Sequence, residues 1–183
     1  MAEASTPEQS QQVITYEVKS RADVTQQDVN DLGVFVSEEI NRAKLDRTEQ
    51  NLDDAAIHTM AAKALADYMR NEEDMDLIIA RDRDGKLIGY RLIGFASVAN
   101  NKKKVTGTYI GVKPENRRQG IGLNLLSRSI QAILDRGITE YETDVRREVP
   151  SLYDRLGITY TTHPLPDPEI RPAGSQRLIV HLK

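Results

Sequence analysis

Cysteine is absent from the 183 residues, which excludes disulfides, thiolate metal sites, iron–sulfur clusters and a cysteine nucleophile. Tryptophan is absent too, and aromatics reach only 5%, so little points to an aromatic cage around a ligand. No apolar run approaches the ~20 residues of a membrane span, and the first dozen residues, MAEASTPEQSQQ, carry no hydrophobic signal core. Neither sign of charge dominates: 25 Lys and Arg against 28 Asp and Glu leave a net −3, too little positive field to draw nucleic acid or anionic lipid. The three histidines, His58, His163 and His181, are scattered and form no zincin pair, so no metal is expected. What remains is the composition of a globular, cytoplasmic protein, 39% hydrophobic and 29% charged.

The length suits one domain. Residues 1–12 are polar and read as a flexible tail, leaving 13–183 as the domain. Val13 to Lys19 predicts a first strand, with Val13, Tyr16 and Val18 as its apolar positions. Val29, Leu32, Val36, Ile40 and Ala43 fall at helical spacing, and Ile57, Met60, Ala61, Ala64, Leu65 and Tyr68 predict a second helix beginning near 51–54. The period then changes to two. Asp76–Arg81 and Leu87–Val98 read as strands joined at Asp84-Gly85, with a turn at Asn100-Asn101 and the following lysines, then a strand over Val105–Val112. A helix over about 120–136 follows, capped by Gly137, then a strand over Tyr141–Val145. A short helix over Pro150–Leu156, a strand over Ile158–Thr162, a proline-rich loop over 164–174 and a closing strand over Leu178–Leu182 complete the chain. The order β-α-α-β-β-β-α-β-α-β-β implies an α/β fold with one mixed sheet flanked by helices.

Chemistry concentrates in YIGVKPENRRQGIGLNLL, residues 109–126. A strand ends, a loop follows, and Gly120 and Gly122 stand where a helix opens. Glycines there let backbone amides approach a ligand, and the first amides of the helix present the positive end of its dipole. Arg117 and Arg118 add charge at the mouth. No Lys-Ser/Thr follows the glycines and no GxGxxG is present, so this is neither a P-loop nor a dinucleotide fingerprint. Spacing alone leaves a pyrophosphate cradle and a simple turn into a packed helix both open.

The run Arg117-Arg118-Gln119-Gly120-Ile121-Gly122 resembles the acetyl-coenzyme-A signature of the GNAT N-acetyltransferase superfamily, (Gln/Arg)-x-x-Gly-x-(Gly/Ala). Val112-Lys113-Pro114 and Leu125-Leu126 resemble its flanks, Ser151 to Gly157 its Leu-Tyr-x-x-Leu-Gly-Phe segment, and Asp84 to Gly89 its usual hairpin. The resemblance spans roughly residues 76 to 163. It implies a GNAT-like single domain with a twisted, mostly antiparallel sheet, and acetyl transfer from acetyl-CoA to an amine by direct attack. By that resemblance, strand 109–112 splays from its neighbour, so that the backbone of Ile110 and Val112 pairs with pantetheine. Arg117, Arg118, Gln119, Gly120, Ile121 and Gly122 would hold the pyrophosphate, and Tyr153 would stand by the coenzyme sulfur. A phenol with pKa near 10 is a weak proton donor to a thiolate near 8.5, so stabilisation by a hydrogen bond is the expected role.

The sequence also departs from the pattern. Counting back from Tyr153, the family's asparagine falls at Arg146 and its alanine at Val149, or else the loop is about three residues shorter and Val145-Arg146 matches an earlier Val-Arg. Either way the asparagine is missing, and the glutamate base of some members falls near Thr106. Glu142 and Asp144 share one face of their strand and are substitute bases, unless they merely face solvent. Glu38, Glu39, Asp53 and Asp54 form either an acidic rim for a cationic amine or ordinary helix-surface charge. These acids lean toward a polyamine, aminoglycoside or lysine acceptor. Lys102–Lys104 reads as a solvated hairpin tip, His58 as a bystander, and His163 lies near where the acceptor site would form. The missing base and asparagine also motivate an alternative, a weakly catalytic coenzyme-A-binding regulatory module. No nucleic acid or membrane partner is expected, and the resemblance allows a homodimer.

Overall fold

The computed structural model describes residues 13–45, 74–98, 102–145, 149–165 and 176–183. The tail over 1–12, the expected second helix with Asp53, Asp54 and His58, the turn at Asn100-Asn101, Arg146 and most of the proline-rich loop lie outside them, as does the side chain of Glu39. Seven strands are described: β1 Thr15–Ser20, β2 Asp74–Arg81, β3 Leu87–Val98, β4 Lys102–Val112, β5 Glu140–Val145, β6 Thr159–His163 and β7 Gln176–His181. Three α-helices join them: α1 Gln26–Leu45, α2 Ile121–Asp135 and α3 Pro150–Arg155.

Strands β1-β2-β3-β4 form one sheet in that order and β5-β7-β6 a second, with every ladder antiparallel. The β2–β3 hairpin turns where expected. Gly85 adopts φ 79°, and the Asp82 carboxylate accepts from the amides of Asp84 and Lys86. Glycine is the residue that takes that φ without a Cβ clash.

The first sheet is covered on both faces, which is why β2 reads as the unbroken apolar run Leu77 to Ala80 rather than alternating. On one face α1 lays Leu32 and Phe35 against Met75, Leu77, Ile79, Tyr90 and Leu92. On the other, α2 sets Ile121, Leu125, Leu126, Ile130 and Ile133 against Ile78, Ala80, Ile93 and Phe95. Tyr141, Val145, Leu178 and Val180 of the second sheet join that same cluster, so the core is continuous across both sheets. Truncating any of these core leucines to alanine would cost ~2–5 kcal/mol.

Three local expectations are corrected. Tyr16 turns inward from β1 as expected, joined by Ile14 just before the strand, whereas Val13 and Val18 do not; Val18 is half exposed. Tyr16 packs beneath the Arg128 guanidinium, 5.0 Å from its ring centre. Lys102 to Lys104 are not a turn but the start of β4, paired with Val98, Ser97 and Ala96. A lysine run is compatible with a strand whose outer positions face water. Phe35, absent from the expected face of α1, is its deepest aromatic, edge-on to Tyr90 at 5.2 Å.

Candidate functional site

No ladder joins β4 to β5, so the two sheets part between them. The Lys113 amide donates to the Ile88 carbonyl, and alternation along an antiparallel strand then turns the backbone groups of Ile110 and Val112 away from β3. They face the side where no described strand pairs. Below the parting, Thr108 and Thr143 hold the strands together through their hydroxyls at 2.6 Å. The result is a wedge closed at Thr108 and open at Val112.

The α2 N-terminus stands beyond that open end. After a 3-10 turn over Pro114–Asn116, Arg118 adopts φ 62° and Gly120 φ 81°. Two left-handed residues in so short a loop turn successive amides to one side, a geometry suited to an anion. Gly120 caps α2, and the Asn124 amide is the first to bond back to its carbonyl, at 3.0 Å. The amides of Ile121, Gly122 and Leu123 therefore precede the first intrahelical bond. Gly122 needs no special φ. A Cβ there would meet only Leu152 at 3.6 Å and Val112 at 3.7 Å, so its absence leaves space between α2, α3 and the end of β4. A pyrophosphate with a slender thiol arm fits this donor set and this gap.

Arg117 folds back, its Nε donating to the Val112 carbonyl at 3.0 Å. That carbonyl is thus already engaged by a side chain, while Arg118 and Gln119 are exposed at the mouth. Lys113 is buried at the end of β4, 3.1 Å from Glu38 and 5.7 Å from the centre of the Phe35 ring. Glu38 is therefore a tether between α1 and β4 as much as part of an acidic rim.

Tyr153 of α3 is fully buried. Its hydroxyl lies 2.9 Å from that of Tyr141, and its ring meets Tyr160 edge-on at 6.0 Å. Burial pushes the Tyr141 hydroxyl well above the ordinary phenol range; the adjoining Tyr153 adds to this and the charge of Arg91 opposes it. Arg91 is itself buried in the apolar strand β3. Its Nε donates to Ser129 at 2.9 Å, and Ser129 passes its own hydrogen to the Leu126 carbonyl at 2.7 Å. Sequence reasoning missed Arg91 and Tyr141. The available signal was a lone arginine inside LIGYRLIGF, where both sheet faces must be covered.

The two substitute bases fare differently. Arg177 of β7 grips Asp144 with Nε at 2.8 Å and Nη2 at 3.4 Å, whereas Glu142 is exposed, 3.9 Å from the same guanidinium. Thr106 and His163 are exposed, the latter 3.3 Å from the Thr161 hydroxyl. A depression lined by Ile130, Leu134, Leu156 and Leu182 shares no residue with the wedge or the cradle. No group of metal-ligating side chains occurs among the described residues.

Residues 73–157 match the family model of the acetyltransferase (GNAT) domain. No curated protein matches the chain. Solved structures share the fold at low identity. An acyl-CoA N-acyltransferase from Pseudomonas aeruginosa is 18% identical, covers 93% of this chain and 100% of its own, and superposes with a TM-score of 0.59. The yncA protein of Salmonella typhimurium, whose structure holds its cofactor acetyl-CoA, is also 18% identical, covering 93% of each chain with a TM-score of 0.57. The ribosomal-protein-S18-alanine N-acetyltransferase of Escherichia coli is 19% identical, covering 92% of this chain and 93% of its own with a TM-score of 0.52. The glycine-lined helix start beside parted strands lies within the matched segment, and residues 73–157 are accordingly a GNAT acetyltransferase domain.

Proposed function

We propose that the protein moves an acetyl group from acetyl-CoA to an amine acceptor by direct attack, with no acyl-enzyme. The observation that carries this reading is the wedge between β4 and β5, with the α2 N-terminus and the Gly122 gap at its mouth. The amides of Gly120 to Leu123 would take the pyrophosphate, with Arg117 and Arg118 adding charge. The outward backbone of Ile110 and Val112 would pair with pantetheine. The acceptor nitrogen then attacks the thioester carbon as backbone near Val112 polarises the carbonyl. The C–N bond forms, the C–S bond breaks, the nitrogen sheds its proton, and coenzyme A leaves as thiolate.

Tyr153 would steady that thiolate by donating a hydrogen bond, which requires its ring to meet the sulfur when the arm enters. The acceptor must reach the carbonyl as a free amine. With Asp144 gripped by Arg177 at 2.8 Å, Glu142, 3.9 Å from that guanidinium, is the freer of the two substitute bases and would serve directly or through water. The grip on Asp144 also favours a second reading, a coenzyme-binding regulatory module with weak turnover.

Thiol release from acetyl-CoA, followed with polyamines, aminoglycosides, amino acids and peptide N-termini against a blank without acceptor, tests the proposal. Acceptor-dependent release that falls in Tyr153→Phe supports transfer and names the acceptor class. Release indifferent to that substitution keeps the transfer and removes Tyr153 from it. Tight coenzyme binding with silence across the panel would move the assignment to the regulatory module.

A further inference from the structure

We infer that Tyr109 is a specificity-determining residue: its ring borders the way by which the acceptor reaches the thioester, and it selects an aliphatic amine that arrives as its ammonium. The inference rests on the proposed acetyl transfer and on the side of β4 that each residue occupies. Side chains alternate along a strand, so the stretch from Thr108 to Lys113 has two faces. One looks toward α2. Ile110 and Val112 pack there against the core cluster that contains α2, and a Cβ on Gly122 would stand 3.7 Å from Val112. The gap left for the coenzyme arm is on this side.

Tyr109, Gly111 and Lys113 belong to the other face, which α1 covers in part. A Cβ on Gly111 would stand 2.7 Å from the Tyr90 ring and 2.9 Å from that of Phe35, so nothing passes over it. Lys113 is buried beside Phe35 and Glu38. Tyr109 emerges from under this roof. It is 52% exposed, although Leu92, its partner across the ladder, is fully buried. Strand β5 has the same division. Tyr141, Thr143 and Val145 are buried, the first and last in the cluster that contains α2, so Glu142 and Asp144 stand on the opposite face. The 2.6 Å contact between Thr108 and Thr143 aligns the two strands. Tyr109 adjoins the one threonine and the two acids adjoin the other, so all three border the parting from the side away from α2.

Strands that part without a ladder leave an opening from one face to the other. An acceptor entering from the face opposite the arm meets the thioester there without displacing the coenzyme. Along this stretch of β4 the uncovered position on its path is Tyr109. A phenol ring offers a flat apolar surface whose π cloud attracts an ammonium, and the exposed Glu142 supplies negative charge beside it. An aliphatic amine is protonated at neutral pH, so it is drawn to both before it gives up its proton. An arylamine, whose nitrogen is neutral there, gains no attraction of charge from either.

Steady-state kinetics separate the two faces of the strand. The acceptor is the most active amine among polyamines, aminoglycosides, amino acids and peptide N-termini, with aniline as the neutral comparison. The wild type should favour the aliphatic amine over aniline in kcat/KM. Tyr109→Ala, a change at an exposed position, should raise the KM for that amine ~3–5-fold, the worth of one exposed cation–π contact, and narrow its advantage over aniline by the same factor. The KM for acetyl-CoA and the calorimetric Kd for coenzyme A should change less than about twofold, because the arm lies on the other face. Tyr109→Phe keeps the ring and should behave as the wild type. Gly122→Leu, on the side of the arm, should show the reverse split, with the acetyl-CoA KM raised and the acceptor KM unchanged. An acceptor KM unmoved in Tyr109→Ala overturns the inference while acetyl transfer stands. An equal rise in both KM values also overturns it, since the ring would then shape β4 rather than meet the acceptor. So does a Tyr109→Phe protein that behaves like Tyr109→Ala, because the hydroxyl and not the ring would then act. A wild type that binds coenzyme A yet acetylates no amine of the set overturns the inference and the proposed transfer together.

Discussion

The Nε of Arg117 donates to the carbonyl of Val112 across 3.0 Å, pinning the loop that opens α2 to the end of the strand that borders the wedge. One side chain thereby sets both the position of the amide cradle and the width of the gap beside it. Arg117 is exposed, so its removal should leave the fold intact. We expect Arg117→Met to raise the KM for acetyl-CoA about 5–10-fold with kcat changed less than twofold, the pattern of lost uniform binding. Arg117→Lys should recover little, since a lysine cannot hold the carbonyl and face a phosphate with the same fork. Steady-state kinetics over a range of acetyl-CoA concentrations decide it; an unchanged KM would remove Arg117 from the cradle.

The two signature glycines should separate cleanly. Gly120 sits at φ 81°, where any Cβ is strained, so Gly120→Ala should destabilise the protein by ~1–2 kcal/mol. Gly122 is an ordinary helical position whose Cβ would touch nothing closer than 3.6 Å. Gly122→Ala should keep or slightly raise Tm, because alanine is the better helix former by up to ~1 kcal/mol, and should bind coenzyme A nearly as the wild type does, since the signature takes Gly or Ala here. Gly122→Leu, which fills the gap, should weaken coenzyme A binding, as thermal melts beside calorimetric titration would show. A Gly122→Leu protein with unchanged affinity would mean that the arm does not pass there.

Acid stability should depend on one buried carboxylate. Asp28, at the start of α1, accepts from Lys19 at 2.8 and 3.0 Å, from Arg81 at 3.1 Å, and from the Thr25 amide and hydroxyl at 2.9 and 2.7 Å. Burial alone would raise its pKa, but the Lys19 and Thr25 hydrogen bonds outweigh it and bring the value down to about 2. A carboxyl lowered from near 3.8 contributes stability that is complete above pH ~4 and is lost as pH falls toward 2, amounting to ~2 kcal/mol. Asp28→Asn should therefore melt lower at neutral pH and lose less than the wild type between pH 4 and 2. Parallel acid dependence in the two proteins would show that Asp28 is not the group titrating.

How much of this was legible depended on whether a feature is local. The strand over Leu87–Val98, the α2 helix and the left-handed Gly120 and Gly137 are set by neighbours a few residues away, and their positions follow from period and turn chemistry. The β4–β5 parting followed only from the resemblance, because nothing in TGTYIGV by itself says that its outer edge stays unpaired. Arg91 meets Ser129 of α2 across 38 positions and Tyr141 meets Tyr153 across an intervening loop, and both meetings are tertiary facts. The run Lys102 to Lys104 misled because its charge suggests a turn, whereas pairing with β3 decides its conformation.

The last prediction concerns the proton that the acceptor must lose. Asp144 and Glu142 share a face of β5, but Arg177 holds both oxygens of Asp144 and leaves Glu142 exposed. A carboxylate already accepting two charge-assisted bonds is a weak base toward an incoming ammonium, and its direction is set by the guanidinium rather than by the wedge. Asp144→Asn should therefore keep the acidic limb of the kcat/KM profile in place, whereas Glu142→Gln should lower kcat/KM at neutral pH by 10-fold or more. With Glu142 gone, activity should climb with pH toward that of the wild type as the acceptor deprotonates by itself. If Asp144→Asn abolishes the limb instead, Arg177 must release its partner when substrates bind, and Asp144 is the base. If neither substitution moves the limb, the acceptor is deprotonated by solvent, and the two acids belong to the surface of β5.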